Sequence, residues 1–200
     1  MSTQPSPEVD RILDFWFDPS YPITRWFIKD DALDTQIKTQ FGDLIAAART
    51  PVLDAWQSHP RSTLALLILL DQWSRNVYRG TPHAFSGDSK ALDVATRAIA
   101  KDFEKSSEIT LMQQAFFYLP LMHTETLLGQ IAGKALYEGY ARRCEVDEKA
   151  RAFAEAGVGM ARTHMDVIVR FGRYPGRNEA MGRESTEAER EFLREHPKGM

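Results

Sequence analysis

The sequence predicts an all-α fold: a single-domain array of about eight antiparallel helices over residues 1–200. Two observations carry this. Apolar residues recur at steps of three and four from Val9 to Leu193, the spacing of a helix face. Strand-like alternation is missing, as is any Asn-Gly or Asp-Gly turn between β-branched runs.

The elements follow in order. Residues 1–6 form a polar N-terminal lead. Ser6, Pro7 and Glu8 read as a helix start, with a hydroxyl cap, proline at the first position and an acid in the first turn. Val9, Ile12, Leu13, Trp16 and Phe17 supply its apolar face. Past the breaker at residues 18–22, Leu33, Ile37, Phe41, Leu44, Ile45 and Ala48 draw a second stripe. Pro51 sets off a short piece at 52–58. Ser62 is expected to cap the next helix, which runs through Leu64–Leu70 to about Arg79 and is closed by Gly80 and Pro82. A further helix starts at Gly87-Asp88. A long segment from about Thr110 to Arg143 should kink or break at Pro120. One more helix covers about Asp147 to Phe171. Residues 172–200 make a basic, turn-rich segment and a last helix, which Thr186 and Glu189 open as a capping box.

Composition narrows the partners. The chain has 25 Lys and Arg against 28 Asp and Glu, a net charge of −3. That excludes a broadly basic nucleic-acid or membrane surface. The single cysteine, Cys144, cannot form an internal disulfide, and no Cys/His ladder offers a zinc site. The longest strictly apolar run, Leu64–Leu70, is far short of the roughly 20 residues of a membrane span. The first residues lack the basic-then-apolar pattern of a secretory signal. A cytoplasmic chain is expected, without metal or cofactor.

Function is sought where polar residues stand out of place. The helix through Leu64–Leu70 is apolar all round, and Asp71, Gln72, Arg75, Asn76 and Arg79 follow on an arc of about 140° at 100° per residue. Every face of that helix is inside, so these groups are expected to line a recess at the edge of the core. The plainer alternative is an Asp71–Arg75 pair and a solvated last turn. His164 falls in the middle of the stripe of Met160, Ala161, Val167, Ile168 and Phe171. His123 shares an edge with Phe116, Leu119 and Leu127. Singly, each reads as a hydrogen-bonded core histidine. Together with Glu125 they could supply general acid/base chemistry. On a regular helix Glu125 points about 200° from His123, so the two do not share a metal ion.

Arg170, Arg173, Arg177 and Arg183 are interleaved with Phe171, Tyr174 and three glycines, with Asn178 at the turn. Guanidinium forks and glycine-exposed amides suit a carboxylate or phosphate. The alternative pairs Arg170 with Asp166 and leaves the others solvated or on the acidic last helix.

Residues 70–82, 118–125, 170–178 and 182–186, with Phe15-Trp16-Phe17 and Trp26-Phe27, resemble a bacterial family of unknown function, DUF924. The resemblance covers almost the whole chain. It implies an all-helical fold of the tetratricopeptide-like superfamily, although no repeat is readable here, and it implies no activity. The chain departs from the usual pattern at Trp73-Ser74, commonly Phe-Pro, and at Gly176, commonly His. The second departure removes one acid/base candidate from the arginine segment.

The leading expectation is a polar pocket that binds a small anionic molecule. Its ligand-binding residues are Asp71, Gln72, Arg75, Asn76, Arg79, Arg173, Arg177 and Asn178, with His123, Glu125 and His164 as the catalytic candidates. One alternative is an enzyme with a histidine base and arginines stabilising charge. Another is a helical module that holds a peptide or a second copy of itself.

Overall fold

Nine α-helices, several of them joined by short 3₁₀ turns, lie within residues 6–196, which the computed structural model describes; there is no strand among them. The polar lead, apart from Ser6, and residues 197–200 lie outside the described residues. The fold is all-α, as the apolar spacing predicts. The chain forms two compact units, residues 6–79 with 83–109, and residues 80–82 with 110–196.

The first unit holds α1 (Pro7–Trp16), α2 (Asp31–Ala48), α3 (Pro60–Leu67), α4 (Ser74–Val77) and α5 (Asp88–Ile99). Between α3 and α4 the chain stays helical but widens into a π turn, Ile68–Trp73. Residues 64–70 are at most 1% exposed, so this continuous helix is the axis of the unit, with α1, α2 and α5 packed on it. Trp73 meets Phe41, Phe15 and Trp16 at ring-centroid distances of 4.5, 5.8 and 5.9 Å. Burying such large rings supplies much of the hydrophobic driving force.

The second unit holds α6 (Leu111–His123), α7 (Leu127–Arg143), α8 (Glu148–Phe171) and α9 (Glu187–Glu195). Helices α6, α7 and α8 pack on one another. Gly157 allows the close approach of α8 to α7, since a Cβ there would lie 2.6 Å from the Tyr137 ring. Cys144 is fully buried, and burial pushes its thiol up, which keeps it protonated and unreactive.

Several boundaries differ from expectation. Ser6 stands at the first cap, but its hydroxyl makes no capping bond, and the fixed φ of Pro7 starts the helix. Ser62 is no cap. The helix begins at Pro60, and the Ser62 hydroxyl, one turn in, donates to the carbonyls of Trp56 and His59. Pro120 lies inside α6 rather than ending it; the break falls at Thr124, with Thr126 capping α7. A proline removes one amide bond, and a buried helix held on its neighbours tolerates that loss. The Thr110 and Thr186 capping boxes are both complete. No helix among the described residues is long and apolar enough to cross a membrane.

Gly87 governs the approach of α5 to the π turn. A Cβ on Gly87 would lie 2.5 Å from the Leu70 carbonyl oxygen, a backbone atom that cannot swing aside. Gly87→Ala should therefore lose about 1–3 kcal/mol, as overpacked sites do. Gly42→Ala, with nothing within 4 Å of the new Cβ, should gain about 0.5–1 kcal/mol in α2. Denaturant midpoints of the two variants check both signs.

Candidate functional site

In the first unit the π turn decides where the polar residues go. Wider i→i+5 turns are rare and recur at functional sites. Here the widening puts Asp71 and Gln72 inside, 2% and 8% exposed, and the Gln72 amide donates to the Asp71 carboxylate. The Ser74 hydroxyl donates to the Leu69 carbonyl five residues back, at 3.0 Å. A regular helical wheel fails across residues 68–73, so the expected single arc splits.

Arg75 turns to α5. Its two Nη groups donate to the two oxygens of Asp88, each at 2.9 Å, and Nη1 also donates to Asp71 at 3.0 Å. Asn76 and Arg79 turn to α2 instead and share Asp34, at 2.6 and 3.0 Å. The i,i+4 pair of the plainer reading is present, and Asp88 and Asp34 add partners from distant sequence. Two arginines here face three carboxylates.

In the second unit the site is built around the end of α6. The last four carbonyls of any helix lack partners within it. Here the Tyr174 hydroxyl donates to the Met122 carbonyl at 2.5 Å, and Arg177 Nη2 donates to the His123 carbonyl at 2.7 Å. The side-chain amide of Gln130 has two hydrogens to give. It lies 2.6 Å from the Thr124 carbonyl and 2.8 Å from the Tyr174 hydroxyl, with the Met122 carbonyl also near at 2.9 Å. Gln130 is 1% exposed, and Tyr174 fully buried.

Four candidates gather at this knot. The rings of His123 and His164 lie 6.3 Å apart between centroids, and His164 lies 5.6 Å from Tyr174. The Arg177 guanidinium lies over the Tyr174 ring at 4.6 Å. Glu125 sits beside them because Thr124 is extended (φ −74°, ψ 143°), so the helical angle of about 200° does not apply. Its oxygens accept from Arg183 at 2.7 and 3.0 Å and from the Tyr174 amide at 2.8 Å. Burial works to raise the Glu125 carboxyl, but these bonds and the nearby Arg177 charge together hold it below its ordinary value.

His164 Nδ1 lies 2.9 Å from the Met160 carbonyl. A carbonyl only accepts, so Nδ1 carries the proton, and Nε2 is the basic nitrogen of the neutral ring.

Arg173 and Asn178 belong to a neighbouring clamp. Arg173 donates to both oxygens of Glu189 at 2.7 and 2.9 Å, and Asn178 to Glu189 and Ser185. Arg170 lies over the rings of Phe171 and Phe192. Gln130, Tyr174, Arg183 and Glu189 were missed as site residues. Tyr174 and Arg183 lie in the turn segment and Glu189 in a capping box, while Gln130, inside α7, carries no sequence signal. Among the described residues no group of three metal-ligating side chains occurs.

A sequence model of the DUF924 family, described as bacterial protein of unknown function, matches residues 12–197. The structure of a protein of unknown function from Agrobacterium tumefaciens is similar, with a TM-score of 0.78 and 34% identity, covering 94% of this chain and 97% of that one. No curated protein matches.

The clamp predicts an acid-sensitive last helix. The Arg173 bonds, with those from the Thr186 amide, outweigh burial and pull the Glu189 carboxyl down to about 2. A carboxyl lowered by folding stabilises fully above its ordinary pKa, 4.5 here, and loses that contribution as pH falls towards about 2. Glu189→Gln should cost about 2–3 kcal/mol at pH 7, the scale of lost charged hydrogen bonds. Stability curves of both proteins should converge as pH falls from about 4.5 towards 2.

Proposed function

The chain belongs to the DUF924 family of bacterial proteins, and we propose that it binds a small anionic molecule at the knot of the second unit. One observation carries this reading: two imidazoles, His123 and His164, stand 6.3 Å apart at Tyr174 and Arg177. The charge around them supports it. Arg173 holds Glu189, Arg183 holds Glu125, and the Arg177 charge lies close enough to lower the Glu125 carboxyl, so three guanidinium groups concentrate positive charge here. A carboxylate or phosphate gains most from donors that are already oriented. The first cluster is a poorer anion site, because Arg75 already holds Asp71 and Asp88 and the local balance is acidic.

A second reading makes His164 a general base. Its proton on Nδ1 leaves Nε2 as the group that would take a proton from a substrate. The two readings share these residues and differ only in whether the bound molecule is changed.

The test uses the five histidines as their own controls. Inorganic phosphate and succinate are titrated into the labelled protein at constant ionic strength, and the imidazole nitrogen signals are followed by NMR. Signals of His123 and His164 should move and saturate with one of the two anions, while His59, His83 and His196 stay. If all five drift alike, or none saturates, the second-unit knot is not an anion site.

A further inference from the structure

The first unit contains a recess that neither polar cluster uses. It is open to solvent and holds about 300 Å³ where the turn after α1 passes the start of α2. Ligand pockets run from roughly 300 to 1,000 Å³, so this one suits a molecule of amino-acid size.

Its walls carry one fixed cation and one fixed anion. The Arg25 guanidinium lies over the Tyr21 ring at 3.9 Å and the Phe15 ring at 4.9 Å, and Nη1 donates to the Phe15 carbonyl at 3.3 Å. Stacking holds the plane of the fork and leaves its edge to bind. Asp30 caps α2 with one oxygen, Oδ1, accepting from Ala32 and Leu33 amides at 2.9 and 3.1 Å. That bond fixes the carboxylate, and Oδ2 takes no part in it. Both residues line the recess, yet among the described residues they form no ion pair with each other. Pro22, Ile28 and Leu33 add apolar wall. Asp18, held by Ser20, also lies within the field of Arg25, which disfavours a bare anion.

We propose that this recess binds a small zwitterion of the apolar α-amino acid class. Its carboxylate takes the Arg25 fork, its ammonium group takes Asp30 Oδ2, and its side chain lies on Pro22, Ile28 and Leu33. Either charge alone would leave the other wall charge uncompensated, so the site selects for both together.

Calorimetric titration of the full chain tests this with L-leucine, and with 4-methylpentanoate and isoamylamine as single-charge analogues. L-leucine should bind one-to-one and at least tenfold more tightly than either analogue. Arg25→Gln and Asp30→Asn should each remove that advantage. Asparagine keeps an oxygen for the cap, so unchanged helix content and melting temperature certify that the variant is folded. The proposal is overturned if L-leucine fails to saturate, if 4-methylpentanoate or isoamylamine binds as well, or if either folded variant binds L-leucine as wild type does.

Discussion

Helix α6 ends among buried residues, and its last carbonyls must be satisfied there by side chains. Leu121 and Met122 are 6% and 3% exposed, so water is a poor partner at this point. An unmet buried carbonyl costs on the order of 1–3 kcal/mol. Gln130 from α7, with Tyr174 and Arg177 from the turn after α8, supplies the donors. The same three residues place His123, fix the exit towards Glu125, and bring the α8 imidazole of His164 to the Tyr174 ring. The proposed site is thus a consequence of how one helix stops.

Charge follows the same economy. Four of the arginines singled out in the sequence each hold a carboxylate from another part of the chain: Arg75 holds Asp88, Arg79 holds Asp34, Arg173 holds Glu189 and Arg183 holds Glu125. Such pairs fix geometry as much as they stabilise, since a partly buried ion pair gains little net energy. They make the first cluster a brace between α5 and the π turn. The second cluster gathers the imidazoles and Arg177 around Tyr174.

Helices were legible because three-and-four spacing is a local signal. Caps were legible where a hydroxyl or carboxylate stood three residues before its partner, as at Thr186. Sequence could not show the π turn, since the residues of Ile68–Trp73 suit a regular helical turn equally well. It could not show that α6 runs through Pro120, because tertiary packing outweighed a local preference. The histidines were legible as oddities on apolar faces. Gln130 was not, because a lone glutamine inside a helix looks like any surface residue until the carbonyls it serves are known. Asp88 and Asp34 were hidden for the same reason: a pairing partner 13 or 45 residues away leaves no local trace.

The central claim is that Gln130 and Tyr174 act as one unit in closing α6. A double-mutant cycle on Gln130→Leu and Tyr174→Phe, read as denaturant stability, measures it. The hydroxyl of Tyr174 both accepts from Gln130 and donates to Met122, so removing either partner disables part of what the other does. The account predicts a coupling of about 1–3 kcal/mol, the range for residues in one hydrogen-bond network. Additivity to within about 0.5 kcal/mol would mean that the two residues serve α6 independently, and the knot would not exist as a unit.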